Sequence, residues 1–455
     1  MLVYFHIDEL ARDAVVASAL KKELESRGGK LVYGNRFTTD YVLRHWNIFD
    51  AIILPSLLHF FGAFPDAKTL PNNVFILQTE AIGQATGTLK RLNGKYFGDE
   101  PGKYDPWHKS VCGYLLWGPA HLNSFHEYHP EYLPKCKVVG HPRLSRLCQG
   151  QRTEKLNARP IVGFVSRFNL LSPFDARTPF ESIVSSMRFG KKATPAYEDS
   201  PGKDVEDMFY TEVMDFRIML QVMLSLDPSR YRISVRPHPR ENRLGWQRLA
   251  RKLGLNITVS DWDIPFSHWL GQIDHIITPP STGLYDIFFH GRRPIVIDKV
   301  VPSRSAHTLA QSDDRNQILE GICRPESVDE IIRLLDSGDI PPPPESVLLC
   351  LQEQVGADIA SHSIANIVDA IHEFTASHPA PRRAVGALAF WHGAVTALSG
   401  LKQFKARLQR RVEQGASFNL TLRRKAWIDR LVTMDPVGSS QVQIAKLENL
   451  EKTGQ

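Results

Sequence analysis

Short apolar runs alternate with helical periodicity along the first part of the chain. A first run, LVYFHI, precedes a helical pattern over 11–27, then Gly28-Gly29 as a stop, and then a second run, KLVYG. A strand, a helix and a strand in succession predict a βαβ opening. Four more short apolar runs are typical of buried strands and lie at 50–55, 73–77, 113–118 and 137–140. The pattern predicts a parallel sheet covered by helices.

The same alternation restarts at residue 160, after a basic segment near 148–159. Strands are predicted at 160–165, 231–235, 256–259, 275–278 and 294–298, and helices at 205–226, 246–253 and 284–290. A polar insertion without a clear period covers 188–207. The predicted fold class is therefore α/β, with two doubly wound domains, 1–150 and 158–375, that face a cleft and bind ligands at the carboxyl ends of their strands.

The character of the sequence changes after residue 375. Residues 384–401 are apolar, and several lysines and arginines follow directly, up to residue 411. One interpretation is an amphipathic helix lying in an anionic membrane surface; the alternative is a helix that packs on the first domain or on a second subunit. Residues 376–455 are thus predicted to be a helical basic tail that contacts a membrane or a partner.

Composition limits the kinds of partner that the protein can bind and the cellular compartment in which it is expected. The 455 residues are 42% hydrophobic and 23% charged, as in soluble globular proteins, and the net charge is +6 with acidic and basic residues interleaved. This mild charge argues against a nucleic-acid partner but allows an anionic small substrate. The five cysteines form no C-x-x-C pair, and the N-terminus has no secretory pattern. We expect a cytoplasmic protein.

A turn with two prolines follows the predicted strand at 231–235. Pro237 and Pro239 fix φ and remove backbone donors, so His238 is held on a stiff turn at the carboxyl edge of the sheet. Arg236 and Arg240 flank it, and arginine and histidine side chains suit a phosphate group. A merely structural turn is the alternative. The flanking arginines favour a phosphate site.

A second candidate lies between the strand at 275–278 and the next helix. Ser281 and Thr282 stand where the helix N-cap is expected, and Gly283 follows them. Their hydroxyls and the free backbone N–H groups predict an anion site, with ordinary capping as the alternative. Asp286 is interpreted as structural. One nucleotide phosphate shared with the His238 turn explains both features.

Other strand ends carry weaker candidates. Glu80 follows the strand at 73–77 and is a candidate general base or hydroxyl ligand, with a solvated carboxylate as the alternative. Arg167 and Asn169 are candidate donor-binding residues, or else they structure the loop. Any carboxylate nucleophile is expected among four aspartates that nothing in the sequence separates: Asp175, Asp204, Asp207 and Asp215. Strands also end at Trp117-Gly118-Pro119 and Gly140-His141-Pro142.

Several common motifs are absent or weak. The D-x-D spacing at 261–263 occurs often by chance and does not establish a metal site. The chain has no G-x-G-x-x-G, no P-loop and no G-x-S-x-G motif, which argues against a usual dinucleotide fold, a P-loop ATPase and an α/β-hydrolase. We therefore predict neither a metal nor an organic cofactor.

The run over 235–298, with VRPHPRE and PPSTGLYDIFFHGRRPIVID, resembles the GT-B glycosyltransferases of bacterial surface-carbohydrate biosynthesis. TEAIG, LLWG and GHPRL in the first domain agree with it. The resemblance covers most of residues 1–370 and implies a GT-B-like pair of Rossmann-type domains. In the similar sialyltransferases and β-Kdo transferases, a His-Pro turn and a Ser/Thr pair hold the nucleotide phosphate without a metal. This implies the same role for His238, Pro239, Ser281 and Thr282.

The resemblance implies a glycosyltransferase that moves Kdo or a related acidic sugar from its CMP donor to a glycan or glycolipid acceptor. The product is a surface polysaccharide, lipopolysaccharide O-antigen or capsule, made at the inner face of the plasma membrane. The predicted catalytic residues are His238, Glu80 and Asp175. The predicted donor-binding residues are Arg236, Pro239, Glu241, Ser281, Thr282, Gly283, Arg167 and Asn169. The alternatives are a nucleotide-sugar epimerase on the same fold and a non-catalytic assembly subunit.

Overall fold

The computed structural model describes much of the chain. The described residues are 1–7, 10–34, 39, 49–57, 60, 70–77, 105–148, 159–173, 178–179, 201–239, 241–261, 264–281, 283–300 and 322–377. They form two compact units. Unit 1 contains the described residues up to 148 and those from 353 onward, and unit 2 contains those from 159 to 352.

Each unit contains one parallel sheet. In unit 1 the strands are β1 (Leu2–His6), β2 (Lys30–Gly34), β3 (Ala51–Leu54), β4 (Val74–Leu77), β5 (Val111–Leu116) and β6 (Cys136–Val138), in the order β2-β1-β3-β4-β5-β6. In unit 2 they are β7 (Ile161–Val165), β8 (Arg232–Arg236), β9 (Ile257–Val259), β10 (His275–Thr278) and β11 (Pro294–Val296), in the order β11-β10-β7-β8-β9. All pairs are parallel.

Helices connect the strands. In chain order they are α1 (Leu10–Ser26), α2 (Asp105–Ser110), α3 (Pro119–Tyr128), α4 (Pro201–Ser225), α5 (Arg243–Leu253), α6 (Phe266–Gln272), α7 (Gly283–Phe289), α8 (Val328–Ser337), α9 (Glu345–Val355), α10 (Ala357–Ala360) and α11 (Ser363–Ser377). Short 3₁₀ turns occupy Pro130–Lys135, Pro142–Leu144 and Arg146–Cys148. None of the described helices is long and apolar enough to span a membrane.

Local sequence signals set several helix ends. Asn242 caps α5 by accepting the Leu244 N–H at 3.0 Å, and Gly254 ends it in the left-handed conformation at φ 66°. Ser327 caps α8 by accepting the Glu330 N–H at 3.2 Å. These are the residue types that such positions favour, because they satisfy backbone groups that the helix leaves unpaired.

The central strands are buried on both faces, as their uninterrupted apolar runs predict, whereas the edge strands β2, β6 and β9 are partly exposed. In unit 1 the side chains of β1 alternate between two cores: Val3 and Phe5 join α1 and α11 on one face, and Leu2 and Tyr4 join the other. In unit 2 the core includes Phe164 of β7, Val235 of β8 and apolar residues of α4 and α8. The predicted fold class, a chain with two doubly wound α/β sheets, is confirmed.

The C-terminal described helix packs in unit 1. Ile364, Ile367, Val368 and Ile371 of α11 are fully buried in the same core as Phe5 of β1. Residues 353–375 are predicted to belong to the second domain, whereas in the structure they belong to unit 1. The apolar stripe of α11 covers α1 and β5, so the chain returns to the unit in which it begins.

Candidate functional site

Unit 2 has its topological switch point between β7 and β10. From β7 the chain continues to β8 and β9 on one side, then crosses to β10 and β11 on the other. Ile277 of β10 pairs with Phe164 of β7, so the two strands end at about the same level. Doubly wound sheets bind ligands at this place. The segments that follow the two strands are the β7 loop, defined as residues 166–173, and residues 279–283.

The Glu241 carboxylate joins the β7 loop to the turn after β8. The Ser166 hydroxyl donates to its two oxygens at 3.0 and 2.8 Å, and the backbone N–H groups of Phe168 and His238 donate to Oε2 at 3.2 Å each. The Trp246 indole N–H donates to Oε1. Burial raises the pKa of Glu241, while these hydrogen bonds oppose the rise. This predicted donor-binding residue thus bonds to the protein's own groups.

Arg236 connects the ends of two strands. Its side chain is buried, with 7% exposed, and Nη1 donates to the Ser260 hydroxyl at 2.8 Å and to the Asp261 carbonyl at 2.7 Å. Both partners follow β9. These contacts fix the end of β8 relative to β9, which is the turn-locking role that a strand-end arginine can have.

His238 lies on a closed turn. Its carbonyl accepts the Glu241 N–H at 2.8 Å, and its own N–H donates to the Glu241 carboxylate. Pro237 is buried, while His238 and Pro239 are half-buried. The proline-flanked backbone is therefore held on both sides, and it places the imidazole at the carboxyl edge of the sheet, as the sequence predicts. Arg240 lies outside the described residues.

Two buried polar atoms near the switch point have no hydrogen-bond partner among the described residues: Ser281 Oγ and Asn169 Oδ1. Arg167, two residues before Asn169, is half-buried, and its guanidinium makes no hydrogen bond within the described part of the chain. A buried polar group without a partner costs about 1–3 kcal/mol, so the Ser281 hydroxyl and the Asn169 amide oxygen require an explanation. Ligand binding supplies one.

Gly283, the remaining described member of the predicted site, begins α7. A Cβ at this position would lie 3.3 Å from the Phe266 ring and 3.3 Å from Ser281 Oγ, so the absence of a side chain leaves room beside that hydroxyl. The Ser281 carbonyl accepts the Leu284 N–H at 3.2 Å, which is the first bond of the helix. Thr282 lies outside the described residues.

Two acidic residues on α4 are buried: Glu212, which the sequence did not indicate, and Asp215, one of the four aspartates among which a carboxylate nucleophile was expected. Glu212 is 4% exposed and Asp215 is 8% exposed, and burial raises the pKa of each to about 7, against the lowering influence of Arg167. Oε2 of Glu212 accepts the backbone N–H groups of Leu170 and Leu171 at 2.8 and 2.9 Å. Their signal in the sequence is the acidic pair three residues apart within the apolar stripe of a predicted helix.

In unit 1, the topological switch point lies between β1 and β3. His6 ends β1, is 1% exposed, and places Nδ1 2.7 Å from the Thr39 hydroxyl. The Tyr4 hydroxyl lies 3.0 Å from the same Thr39 oxygen. His6 is not among the candidate residues predicted from the sequence, because a histidine that ends an apolar run gives no distinctive pattern.

The two first-domain motifs that end β5 and β6 contact the returning chain. A Cβ on Gly118 would lie 2.2 Å from the Glu353 carbonyl oxygen, and one on Gly140 would lie 2.8 Å from the Ala360 Cα. The His141 N–H donates to the Val355 carbonyl at 3.0 Å. These strand ends are therefore filled by backbone, and their glycines permit that approach.

Other predictions fall outside the described residues: Glu80, Asp175 and the segment 384–411. Of the D-x-D motif, Asp261 is described and forms an ion pair with Arg243, whereas Asp263 is not described. Within the described ranges, no group of three or more His, Cys, Asp or Glu residues is arranged to hold a metal ion.

No protein-family model and no curated protein matches this sequence. Solved structures do match. The Staphylococcus aureus MnaA–UDP complex aligns over 82% of this chain and 96% of its own, with 11% identity and a TM-score of 0.47. A UDP-N-acetylglucosamine 2-epimerase from Listeria monocytogenes aligns over 84% and 99%, with 13% identity and a TM-score of 0.44. The wall teichoic acid polymerase TagF aligns over 83% and 89%, with 10% identity and a TM-score of 0.46. Likenesses this distant carry no argument about activity.

Proposed function

We propose that this chain is a glycosyltransferase that binds a nucleotide sugar at the carboxyl edge of the unit 2 sheet. The observation that carries the proposal is a set of polar groups at the switch point: the Ser281 hydroxyl and the Asn169 amide oxygen, which have no described hydrogen-bond partner, and the half-buried guanidinium of Arg167. They come from the two strands between which doubly wound sheets bind ligands. A phosphate and its attached sugar offer the acceptors and donors that these groups lack.

Transfer requires breaking the bond between the sugar's anomeric carbon and the phosphate oxygen. The electron pair of that bond leaves with the phosphate, so groups that stabilise the departing oxyanion accelerate the step. Arg167 would hold the phosphate oxygens by charge, and Ser281 and His238 would donate hydrogen bonds to them. Glu241 and Arg236 would fix the two strand ends that carry these groups, while Pro239 keeps the turn rigid.

The acceptor side of the proposal rests on the sequence. Glu80 would take the proton of the acceptor hydroxyl as it attacks the anomeric carbon, and Asp175 is the candidate carboxylate if the reaction forms a covalent intermediate. Thr282 and Gly283 would complete the donor site after β10. The role of Thr282 follows the resemblance to surface-carbohydrate transferases, whereas those of Glu80 and Asp175 rest on their positions in the sequence.

The same resemblance supports the finer proposal of a CMP-linked acidic sugar, such as Kdo, transferred to a glycan or glycolipid of the bacterial surface. We also propose that the basic tail, including 384–411, contacts the inner face of the plasma membrane. Co-sedimentation of the full chain with vesicles of phosphatidylcholine, with and without phosphatidylglycerol, tests this contact. Binding that needs the anionic lipid is expected, and equal recovery with both vesicles or with neither contradicts it.

Nucleotide binding tests the central proposal. Calorimetric titration with CMP, CDP, UDP, GDP and ADP should show binding of at least one nucleotide. His238→Ala should weaken that binding about tenfold, the loss of one good hydrogen bond, and leave the melting temperature nearly unchanged. Selective binding of CMP supports an acidic-sugar donor, whereas preference for UDP or GDP overturns that donor and keeps the site.

The same protein separates the alternatives. Incubation with a nucleotide sugar and no acceptor should leave the sugar unchanged; appearance of its epimer would make the chain an epimerase. Failure to bind any of the five nucleotides would contradict an enzyme of this kind and favour a non-catalytic assembly subunit.

A further inference from the structure

The β7 loop is held from two sides by buried carboxylates, Glu212 and Glu241, here called the carboxylate pair. Glu241 accepts hydrogen bonds from Ser166 and Phe168, at the start of the loop. Glu212, on α4, accepts the N–H groups of Leu170 and Leu171, further along it. The two carboxylates thus hold opposite ends of one short segment.

The rest of the loop is equally constrained. The Ser172 N–H donates to the Phe168 carbonyl at 2.9 Å, and the Asn242 N–H donates to the Ser172 carbonyl at 2.7 Å. The Phe168 ring, 1% exposed, contacts the rings of Phe216 and Trp246 at centroid distances of 5.6 and 5.8 Å. The backbone from residue 166 to residue 172 therefore has one conformation set by neighbouring elements.

Two side chains are left out of this network. Arg167 and Asn169 lie between the held residues, and both are half-buried. The Asn169 amide oxygen has no described partner, and the Arg167 guanidinium makes no described hydrogen bond, although its charge acts on Glu212 and Asp215. A segment whose backbone is fixed while its intervening polar side chains are not used in hydrogen bonds is organised for binding before the ligand arrives. Such preorganisation removes the cost of ordering the loop on binding.

We propose that the carboxylate pair presents Arg167 and Asn169 to the phosphate and an adjacent hydroxyl of the nucleotide sugar, so that Glu212 is a positioning residue of the site. This rests on the proposed function. Arg167 supplies the cation for phosphate oxygens, and the Asn169 amide oxygen accepts from a hydroxyl. Both hydrogen bonds that Glu212 accepts come from the loop backbone, so the role proposed for it is to hold the loop rather than to bind the ligand.

The test compares two substitutions at one position. Glu212→Ala removes the acceptor of two backbone N–H groups, whereas Glu212→Gln keeps an amide oxygen that can accept both. In titrations with CMP and UDP, we expect Glu212→Ala to weaken the dissociation constant about tenfold and Glu212→Gln to stay within about threefold of wild type. Hydrogen exchange at Leu170 and Leu171 should accelerate in Glu212→Ala.

Asp274→Ala provides the matched control. Asp274 Oδ2 accepts the Ile161 N–H at 2.8 Å, so it holds the backbone at the opposite, amino end of the same strand β7. We expect this variant to lose stability and to keep its affinity. Equal loss of affinity in Asp274→Ala and Glu212→Ala would mean general destabilisation and would overturn the positioning role.

Arg167→Gln keeps the proposal testable if Glu212→Ala fails to fold. The guanidinium makes no described hydrogen bond, and its charge acts on the Glu212 and Asp215 carboxyls, so its removal should weaken nucleotide binding about tenfold or more and shift the pH dependence of stability without unfolding the protein. Unchanged affinity overturns the proposal. If wild type and Glu212→Ala bind a nucleotide equally well, the role of the carboxylate pair is rejected and the proposed function stands. If wild type binds neither CMP nor UDP, the proposed function is rejected as well.

Discussion

The two units end their strands in similar sequences that serve different purposes. In unit 1, β5 and β6 end at Trp117-Gly118-Pro119 and Gly140-His141-Pro142; in unit 2, β8 and β10 end at Arg236-Pro237-His238-Pro239 and Pro279-Pro280-Ser281. All four pair proline with glycine, histidine or serine at a carboxyl edge. In unit 1 the chain's own backbone packs against Gly118 and Gly140 at these ends, whereas in unit 2 the Ser281 hydroxyl after β10 has no described hydrogen-bond partner. Whether a strand end is structural or a candidate site therefore depends on whether another part of the chain packs on it, and not on its sequence motif.

The units also differ in the ionisable groups that they bury. Unit 1 buries imidazoles: burial lowers the pKa of His108 to about 3 and that of His121 to about 4. Unit 2 buries carboxyls, Glu212 and Asp215, whose pKa values burial raises to about 7. Both units thus favour the neutral form of what they bury, but an imidazole becomes neutral as the pH rises and a carboxyl becomes neutral as the pH falls.

The largest expected effect is therefore an opposite response of the two units to acid. Unfolded histidine takes up a proton near pH 6.5, but folded His108 does so only near 3, so the stability it supports is present above 6.5 and lost as the pH falls through this window. The loss reaches about 4 kcal/mol at pH 3. For Glu212 and Asp215 the sign reverses: stability is present below about pH 4 and lost as the pH rises through about 7.

Hydrogen exchange, corrected for intrinsic rates, measures each unit separately. Between pH 7 and 5, amides of β5 should lose protection and amides of β8 should gain it. His108→Phe should flatten the acid response of β5 while leaving β8 as in wild type, since Phe retains the ring stacked on Tyr132 at 5.1 Å. Parallel loss of protection in both sheets would contradict the contrast.

The next effect in size concerns the filled strand ends. Gly118→Ala places a Cβ 2.2 Å from a backbone carbonyl oxygen that cannot move aside, so we expect unit 1 to lose about 3 kcal/mol in denaturant unfolding. Gly338→Ala is the control: its φ is 72°, yet nothing lies within 4 Å of the added Cβ. That variant should lose only about 1 kcal/mol, from backbone strain. Equal losses would show that close packing does not hold the returning chain at β5.

The sequence predicts much of the fold because each strand is a local apolar run and the helix ends carry their own caps. The helix predicted at 284–290 is observed as Gly283–Phe289, and the strand predicted at 275–278 is observed as His275–Thr278. The return of α11 to unit 1 was missed. Its apolar stripe is as suited to one sheet as to the other, and nothing local indicates which core it joins.

The site is predicted only in part, for the same reason. Ser281 and His238 are visible from sequence because a strand, a proline and a polar residue follow one another. Glu212 is not, because its partners, the N–H groups of Leu170 and Leu171, lie on a loop that the sheet brings to α4. Backbone partners leave no mark in a sequence, so a carboxylate that holds a loop looks like one that faces solvent.

The smallest expected effects come from two serines, one in each unit, whose hydroxyls differ in their hydrogen bonds. Ser363 is fully buried in unit 1 and donates its hydroxyl to the Gly140 carbonyl at 2.7 Å, whereas the Ser281 hydroxyl in unit 2 has no described partner. Ser363→Ala should therefore cost about 1–2 kcal/mol of stability and leave nucleotide affinity unchanged. Ser281→Ala should leave stability unchanged and weaken nucleotide binding about tenfold. Thermal unfolding and calorimetric titration of both variants measure this crossed result. If Ser281→Ala loses stability but binds normally, its hydroxyl has a structural partner, and the two strand ends are alike after all.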